Sequence, residues 1–316
     1  MRNWIVIALI LVVVGLIGLF GTFRGENWLS FGTEKVEQTR AIDASGLSNI
    51  HLEINSMDVK VVPTASKKIT ATLSGSASKK YIGKIELKLE RDGDTANLSV
   101  VKDTRFSLGI NILDVNVKLE LPEQQWKSVV LDSSSGDSEI TKLSADSITI
   151  EGKSGDMVLN QLTARSLTVS LTSGDADLAG IDADTTEIEG KSGNVALEDL
   201  KGNSLKVDLK SGDVKLIDVD AAELKTEVAS GNIRAELHSL DRAMAFKTSS
   251  GDVKLLSDEQ PAAVQIQYRT SSGNLNNEWE SAQESSGSED ENLIFGKDGP
   301  IIAVDTGSGD LLVGER

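Results

Sequence analysis

The chain has no cysteine, which excludes disulfides, thiolate metal sites and a lipid anchor on a cysteine, and leaves the redox compartment open. Aromatic residues are scarce: 4 Trp, 2 Tyr and 6 Phe among 316 residues. The core must therefore be filled by Leu, Ile, Val and Ala, which suits thin stacked layers better than a broad globular interior. Histidine occurs only at His51 and His238, far apart in sequence and without metal-ligand or triad context. An acid–base catalytic constellation is accordingly missing. Positive charge is in deficit, with 32 Lys and Arg against 49 Asp and Glu, a net charge of −17 and a pI near 4.6. Such a field repels nucleic acid and anionic polymers, attracts metal cations, cationic peptides or a basic protein face, and also keeps a repeat protein soluble.

One long hydrophobic run is present. Residues Trp4 to Phe23 carry no charge over 20 positions. A helix of that length rises about 30 Å and matches a bilayer core. A cleaved signal peptide is the competing reading, but Gly21-Thr22-Phe23-Arg24 offers no small-x-small cleavage site. The expectation is a transmembrane signal-anchor over 1–24, with Arg2 and the amino terminus cytoplasmic and the body extracytoplasmic in the cell membrane. Residues 25–44 read as a stalk.

The tripeptide Ser-Gly-Asp/Asn then recurs. Its glycines are Gly136, Gly155, Gly174, Gly193, Gly212, Gly231, Gly251, Gly273 and Gly309, with five spacings of 19 followed by 20, 22 and 36. Counting from each glycine, apolar residues return at +4 (Ile140, Leu159, Leu178, Leu197, Leu216) and +7 (Leu143, Leu162, Ile181, Leu200, Val219), and most of +12 and +14 follow suit. Position +9 is always small (Ala145, Ala164, Ala183, Gly202, Ala221), as expected of a tight corner. Alternation in strand fashion over +2 to +4 and +12 to +14 gives each repeat two main strands and a short third side. The fold class is all-β: a single-stranded β-solenoid (β-helix) of 19-residue coils, preceded by one N-terminal transmembrane helix. Nineteen residues cannot supply the two helices of an α-solenoid.

Ser-Gly-Asp/Asn reads as a corner, with Gly at positive φ and Ser or Asp bonding nearby amides. The functional alternative is a row of cation ligands, Asp137, Asp156, Asp175, Asp213 and Asp252, with Ca²⁺ as the only cofactor considered. No catalytic or cofactor-binding residue is assigned. Residues 45–130 are β-rich without the 19-residue period and read as the start and cap of the solenoid. Lys84–Leu89 and Ala96–Val101 flank Asp92-Gly93 as an antiparallel hairpin, and Ser56–Val61 resembles a repeat that has lost its Gly. The repeat solenoid occupies 131–316, with a Ser/Glu/Asp-rich segment at 281–292 expected to be a mobile loop.

The short N-terminal anchor, Leu119-Glu120-Leu121-Pro122 leading into the array, and the repeated Ser-Gly-Asp-x-x-Leu together resemble an adhesin-type family of unknown function, over about residues 45–316. Its LiaG-like members are membrane proteins encoded in Gram-positive cell-envelope stress operons. The resemblance implies a surface-exposed protein that senses or resists envelope-active agents. Three functions compete. One is a non-catalytic interaction protein whose acidic body binds cationic peptides or another envelope protein. The second is a structural surface scaffold or adhesin, and the third a β-helix polysaccharide-processing enzyme, against which the shortage of aromatic stacking residues argues.

Overall fold

The computed structural model describes residues 33–102, 113–280, 282–286 and 290–316. The expected anchor over 1–24 and stalk residues 25–32 lie outside the described residues. Among those described, no helix is long and apolar enough to cross a membrane.

The chain enters as β1 (Thr33–Asp43), lays down one coil as β2 (Asn49–Ile54) and β3 (Asp58–Thr64), and then leaves the stack. The expectation of a stalk through residue 44 is thereby corrected, because 33–43 is a strand. Next come β4 (Lys68–Ser78), a 3₁₀ turn at Lys79–Tyr81, β5 (Ile85–Asp92), β6 (Thr95–Lys102) and β7 (Leu113–Pro122). β6 and β7 form a coil that stacks in parallel on the first, Leu52 opposite Leu98 and Val61 opposite Leu119. The first coil's other edge carries β8 (Trp126–Ser133) and the start of β9 (Ser138–Gly152), with Leu52 opposite Leu131 and Val61 opposite Ile140. The second coil in sequence is thus the outer one in space. It is covered by antiparallel strands, β5 on β6 and β4 on β7, with β1 on β4. The side-chain amide of Gln38 ties β1 to β5, donating to the Ile85 carbonyl at 2.7 Å and accepting from the Leu87 N–H at 2.9 Å. The cap therefore leaves no open edge against the first coil, as a soluble sheet end requires.

From β9 the coils follow in strict sequence through β10 (Met157–Ser173), β11 (Ala176–Ser192), β12 (Val195–Ser211) and β13 (Val214–Ser230). Between the bends, residues pair in parallel with those 19 positions on, as in Leu159 with Leu178 and Val169 with Ile188. Three bends divide each coil. One is the Ser-Gly-Asp/Asn corner, where positive glycine φ runs from +104° at Gly155 to +151° at Gly309. A Cβ at Gly193 would overlap the Gly174 carbonyl, so the repeat admits only glycine there. The second lies at +6, where Lys142, Gln161, Gly180, Asp199 and Asp218 all have φ between 50° and 64°. The third is at +10, where the ladder skips Arg165. The small +9 residues are thus not the corner itself. They point inward beside it, Ala145 and Ala183 being buried, and Trp126 closes the end of their column in register with Ala145.

The interior is columns of aliphatic side chains one coil apart, about 4.8 Å, so each coil buries its Leu, Ile and Val only against neighbours. Size is complementary within the stack. Gly152 leaves room for the Met157 methyl, and Gly190 for Leu209.

The far end repeats the interleaving. β14 (Ile233–Leu237), β15 (Met244–Ser250) and β16 (Val253–Ser257) continue the stack, but β17 (Val264–Ser272) and β18 (Leu275–Asn277) skip a level. β19 (Gln283–Ser286) and β20 (Asp290–Phe295) fold antiparallel outside β17. The chain then returns as β21 (Ile301–Ser308) and β22 (Leu311–Glu315), which slot between: Phe246 pairs with Val304, and Val304 with Tyr268. Glycines read from sequence as successive in the order 251, 273, 309 therefore stack in the order 251, 309, 273. The segment expected as a mobile loop over 281–292 contributes strands β19 and β20 instead.

Candidate functional site

The corner aspartates lie on one edge of the stack and form a continuous ladder. Each side-chain Oδ1 accepts the backbone N–H of the equivalent residue one coil on. Asp58 accepts from Asp137 at 2.9 Å, Asp137 from Asp156 at 2.9 Å, Asp156 from Asp175 at 2.9 Å and Asp175 from Asn194 at 2.7 Å. The series runs on through Asn194, Asp213, Asn232, Asp252 and Asp310 to Asn274. Asn194 and Asn232 add a second bond, their Nδ2 donating to Asp175 and Asp213 at 3.2 Å. This second donor removes a like-charge neighbour and explains why Asn interrupts the row. The five aspartates considered as cation ligands, Asp137, Asp156, Asp175, Asp213 and Asp252, are all in this ladder, with one oxygen each committed to backbone. Among the described residues no group of three or more His, Cys, Asp or Glu has metal-holding geometry. Ser56-Met57-Asp58 does take the corner position of a coil. Met57 occupies the glycine site because Ser56 carries the positive φ, 63°, one residue earlier.

The two histidines pair with carboxylates on the surface. His51 Nε2 lies 3.0 Å from Asp132, and His238 sits 2.8 Å from Asp258 and 3.4 Å from Asp218. Arg316 reaches back to the same two aspartates, so Asp218, His238, Asp258 and Arg316 form one network across successive coils. Among the described residues, the side-chain partners of both histidines are aspartates.

Charge differs from side to side. The short side between +6 and +10 is acidic, and among the described residues its Asp182 and Asp184 make no ion pair, nor does Glu198 at +5 of the next coil, just before the bend, whereas Asp199 meets Lys201 at 3.8 Å. The broad +11 to +17 side carries compensated pairs, Lys206 with Glu187 at 2.6 Å and Lys225 with Glu227 at 3.0 Å. The Glu187 hydrogen bond raises the Lys206 pKa, and the Lys225 hydrogen bond lowers that of Glu227. At the margin of this side a groove of about 710 Å³ runs across several coils. One wall is Glu53, Asp132, Glu151, Glu189 and Asp208, the other Lys153, Lys191 and Lys210, and Gly152, Leu171 and Gly190 lie between. Periodicity gives these columns directly, since each is a fixed offset from the glycine. The groove was not legible, because it depends on how the backbone bends between +15 and +17. The arrangement offers ionic and hydrogen-bonding surfaces arrayed at the coil repeat, which is binding chemistry.

Solved structures with the same fold include a protein described as lipid-binding from Parabacteroides distasonis, 14% identical, covering 89% of this chain and 97% of its own, with a TM-score of 0.51. One described as an adhesin from Bacteroides fragilis is 11% identical, covering 89% of this chain and 98% of its own, with a TM-score of 0.45. At 14% identity the likeness to the former is one of fold alone. Comparison with curated proteins finds no match. The Toastrack DUF4097 family model matches residues 47–313, from the first coil to the last, and the chain belongs to that family.

Proposed function

We propose that the protein is a membrane-anchored, extracytoplasmic interaction protein of the cell envelope, non-catalytic, whose acidic short side captures cationic envelope-active peptides. The observation that carries this reading is the set of exposed carboxylates at Asp182 and Asp184 on the short side and Glu198 at its margin on the next coil, none of them in an ion pair among the described residues, Lys201 beside Asp182 being drawn instead to Asp199. The net charge of −17 reinforces their field. A rigid stack holds such charges at fixed spacing, so a flexible cationic peptide meets several at once without the protein reorganising. The resemblance to envelope-stress proteins supports the same assignment.

The test is calorimetric titration of the full chain with a cationic amphipathic peptide at two salt concentrations, for the native protein and for Asp182→Asn/Asp184→Asn/Glu198→Gln. Saturable binding that weakens at higher salt and falls about tenfold in the variant is expected. Binding unchanged by the variant, or none at all, would remove the reading. Self-association in the absence of peptide binding would favour a surface scaffold or adhesin.

A further inference from the structure

The near end of the stack covers the first coils but finishes in an edge of its own. β1 lies antiparallel on β4 over all 11 of its residues, and among the described residues no strand pairs with its other side. One bond shows which residues face that side. The Ala44 N–H continues the ladder onto the Lys67 carbonyl at 3.0 Å, so even-numbered residues of β1 turn their backbone groups to β4 and odd-numbered ones turn theirs outward. Of the outward groups only the Thr39 carbonyl has a partner among the described residues, the Arg40 guanidinium at 3.1 Å. The other edges of the caps are better protected: Gln38 bridges β5, and β19 has only 4 residues. A long unpaired edge is a template for another strand. Charges along it, here Glu34, Lys35, Glu37, Arg40 and Asp43, either forbid pairing or select one register of it.

We infer that the outer edge of β1 pairs antiparallel with the same edge of a second copy of this chain, about a two-fold axis at Thr39. Antiparallel pairing sets outward residues opposite outward residues, so the axis must fall at a residue, and axes at Glu37, Gln38 and Thr39 keep most of the strand paired. An axis at Glu37 brings two Glu37 carboxylates together. An axis at Gln38 sets Glu34 against Ile42 and Arg40 against Val36. With the axis at Thr39, Lys35 meets Asp43 and Val36 meets Ile42, each twice by symmetry, and Glu37 meets Ala41. The two faces of the strand agree, since ion pairs fall on the solvent side and aliphatic pairs on the side where Val36 is buried. An axis at Val36 also joins opposite charges, Lys35 with Glu37, but leaves Ile42 and Asp43 unpaired. Lys35 makes no ion pair among the described residues, and Asp43 commits one oxygen to the Ser45 N–H at 2.8 Å and keeps the other. The strand is thus its own complement, which points to a second copy rather than an unrelated strand. Such an interface is small, so the pairing is reversible, not obligate. The inference concerns the near end of the stack and does not rest on the peptide-binding reading.

The chain has no native cysteine, so the register can be read by cross-linking the full chain through single introduced thiols with a short bis-maleimide. Thr39→Cys alone should give a covalent dimer, because the two copies of that position come about 5.5 Å apart, Cα to Cα, at the axis. Lys35→Cys alone and Asp43→Cys alone should stay monomeric, each lying about 27 Å from its own counterpart, whereas the two variants mixed should cross-link to each other. A dimer held elsewhere in the chain would not produce this pattern. Sedimentation of the native chain should show a concentration-dependent monomer–dimer equilibrium. Lys35→Glu, which sets like charge against Asp43 and touches nothing in the core, should weaken it about tenfold with the melting temperature of the dilute monomer unchanged. No dimer through position 39, a dimer through position 35 alone, no cross-link in the mixture, or an equilibrium indifferent to Lys35→Glu would each overturn the proposal.

Discussion

At the scale of single residues, the corner aspartates are explained by one hydrogen bond apiece. What the corner needs is an acceptor oxygen at Cγ, not a charge, and this makes a specific expectation. Asp175→Asn should be tolerated, because Oδ1 still accepts from Asn194 N–H. Asp175→Ala leaves that amide to solvent and should cost about 1 kcal/mol, read as a lower urea midpoint at unchanged slope. Equal loss in both variants would mean that charge, not acceptance, is what the ladder requires. The Ser-Gly-Asp corner was legible in the sequence because the conformation there forbids everything but glycine. The bend at +6 was not. Lys142, Gln161, Gly180, Asp199 and Asp218 adopt the same positive φ with four different side-chain types, so neighbouring coils impose the conformation and the residue type leaves little trace.

At the scale of elements, the columns of +4, +7, +12 and +14 gave away the coil because each must be apolar to bury against its neighbours. The order of coils at the two ends left no comparable mark. β21–β22 is as apolar as any coil, and nothing local in Ile301–Glu315 says which coils flank it. Its place between β15–β16 and β17–β18 has a measurable consequence. Ending the chain at Pro300 removes Ile302, Val304, Leu311 and Val313, all fully buried, and with them the support of a coil that is still present. The loss should be on the order of 6 kcal/mol or more from apolar burial alone. Hydrogen exchange should show β17 and β18 unprotected in the truncated chain. Native protection there would contradict the interleaved arrangement.

At the scale of the whole molecule, the surface network of Asp218, His238, Asp258 and Arg316 fastens the far end across several coils. The His238 hydrogen bond, assisted by Arg316 and opposed by some burial, holds the Asp258 carboxyl below its ordinary 3.8. A carboxylate depressed in the folded state stabilises it at pH above the ordinary value, and the contribution is lost as pH falls through the depressed one. Urea midpoints at about pH 5 and about pH 3 should therefore differ more in the native protein than in Asp258→Asn. An identical difference in the two would show that the network carries no linkage.

The interleaved ends also settle where the molecule is free to change size. Both termini of the stack are locked by pairings between distant stretches of chain, but every coil from Gly155 to Gly212 pairs only with the one before and the one after. A unit of 19 residues added or removed in that interval leaves both locks intact and alters the length by about 4.8 Å. The middle of the chain is thus an adjustable spacer between two fixed fittings, and the reach of the protein is a number of repeats.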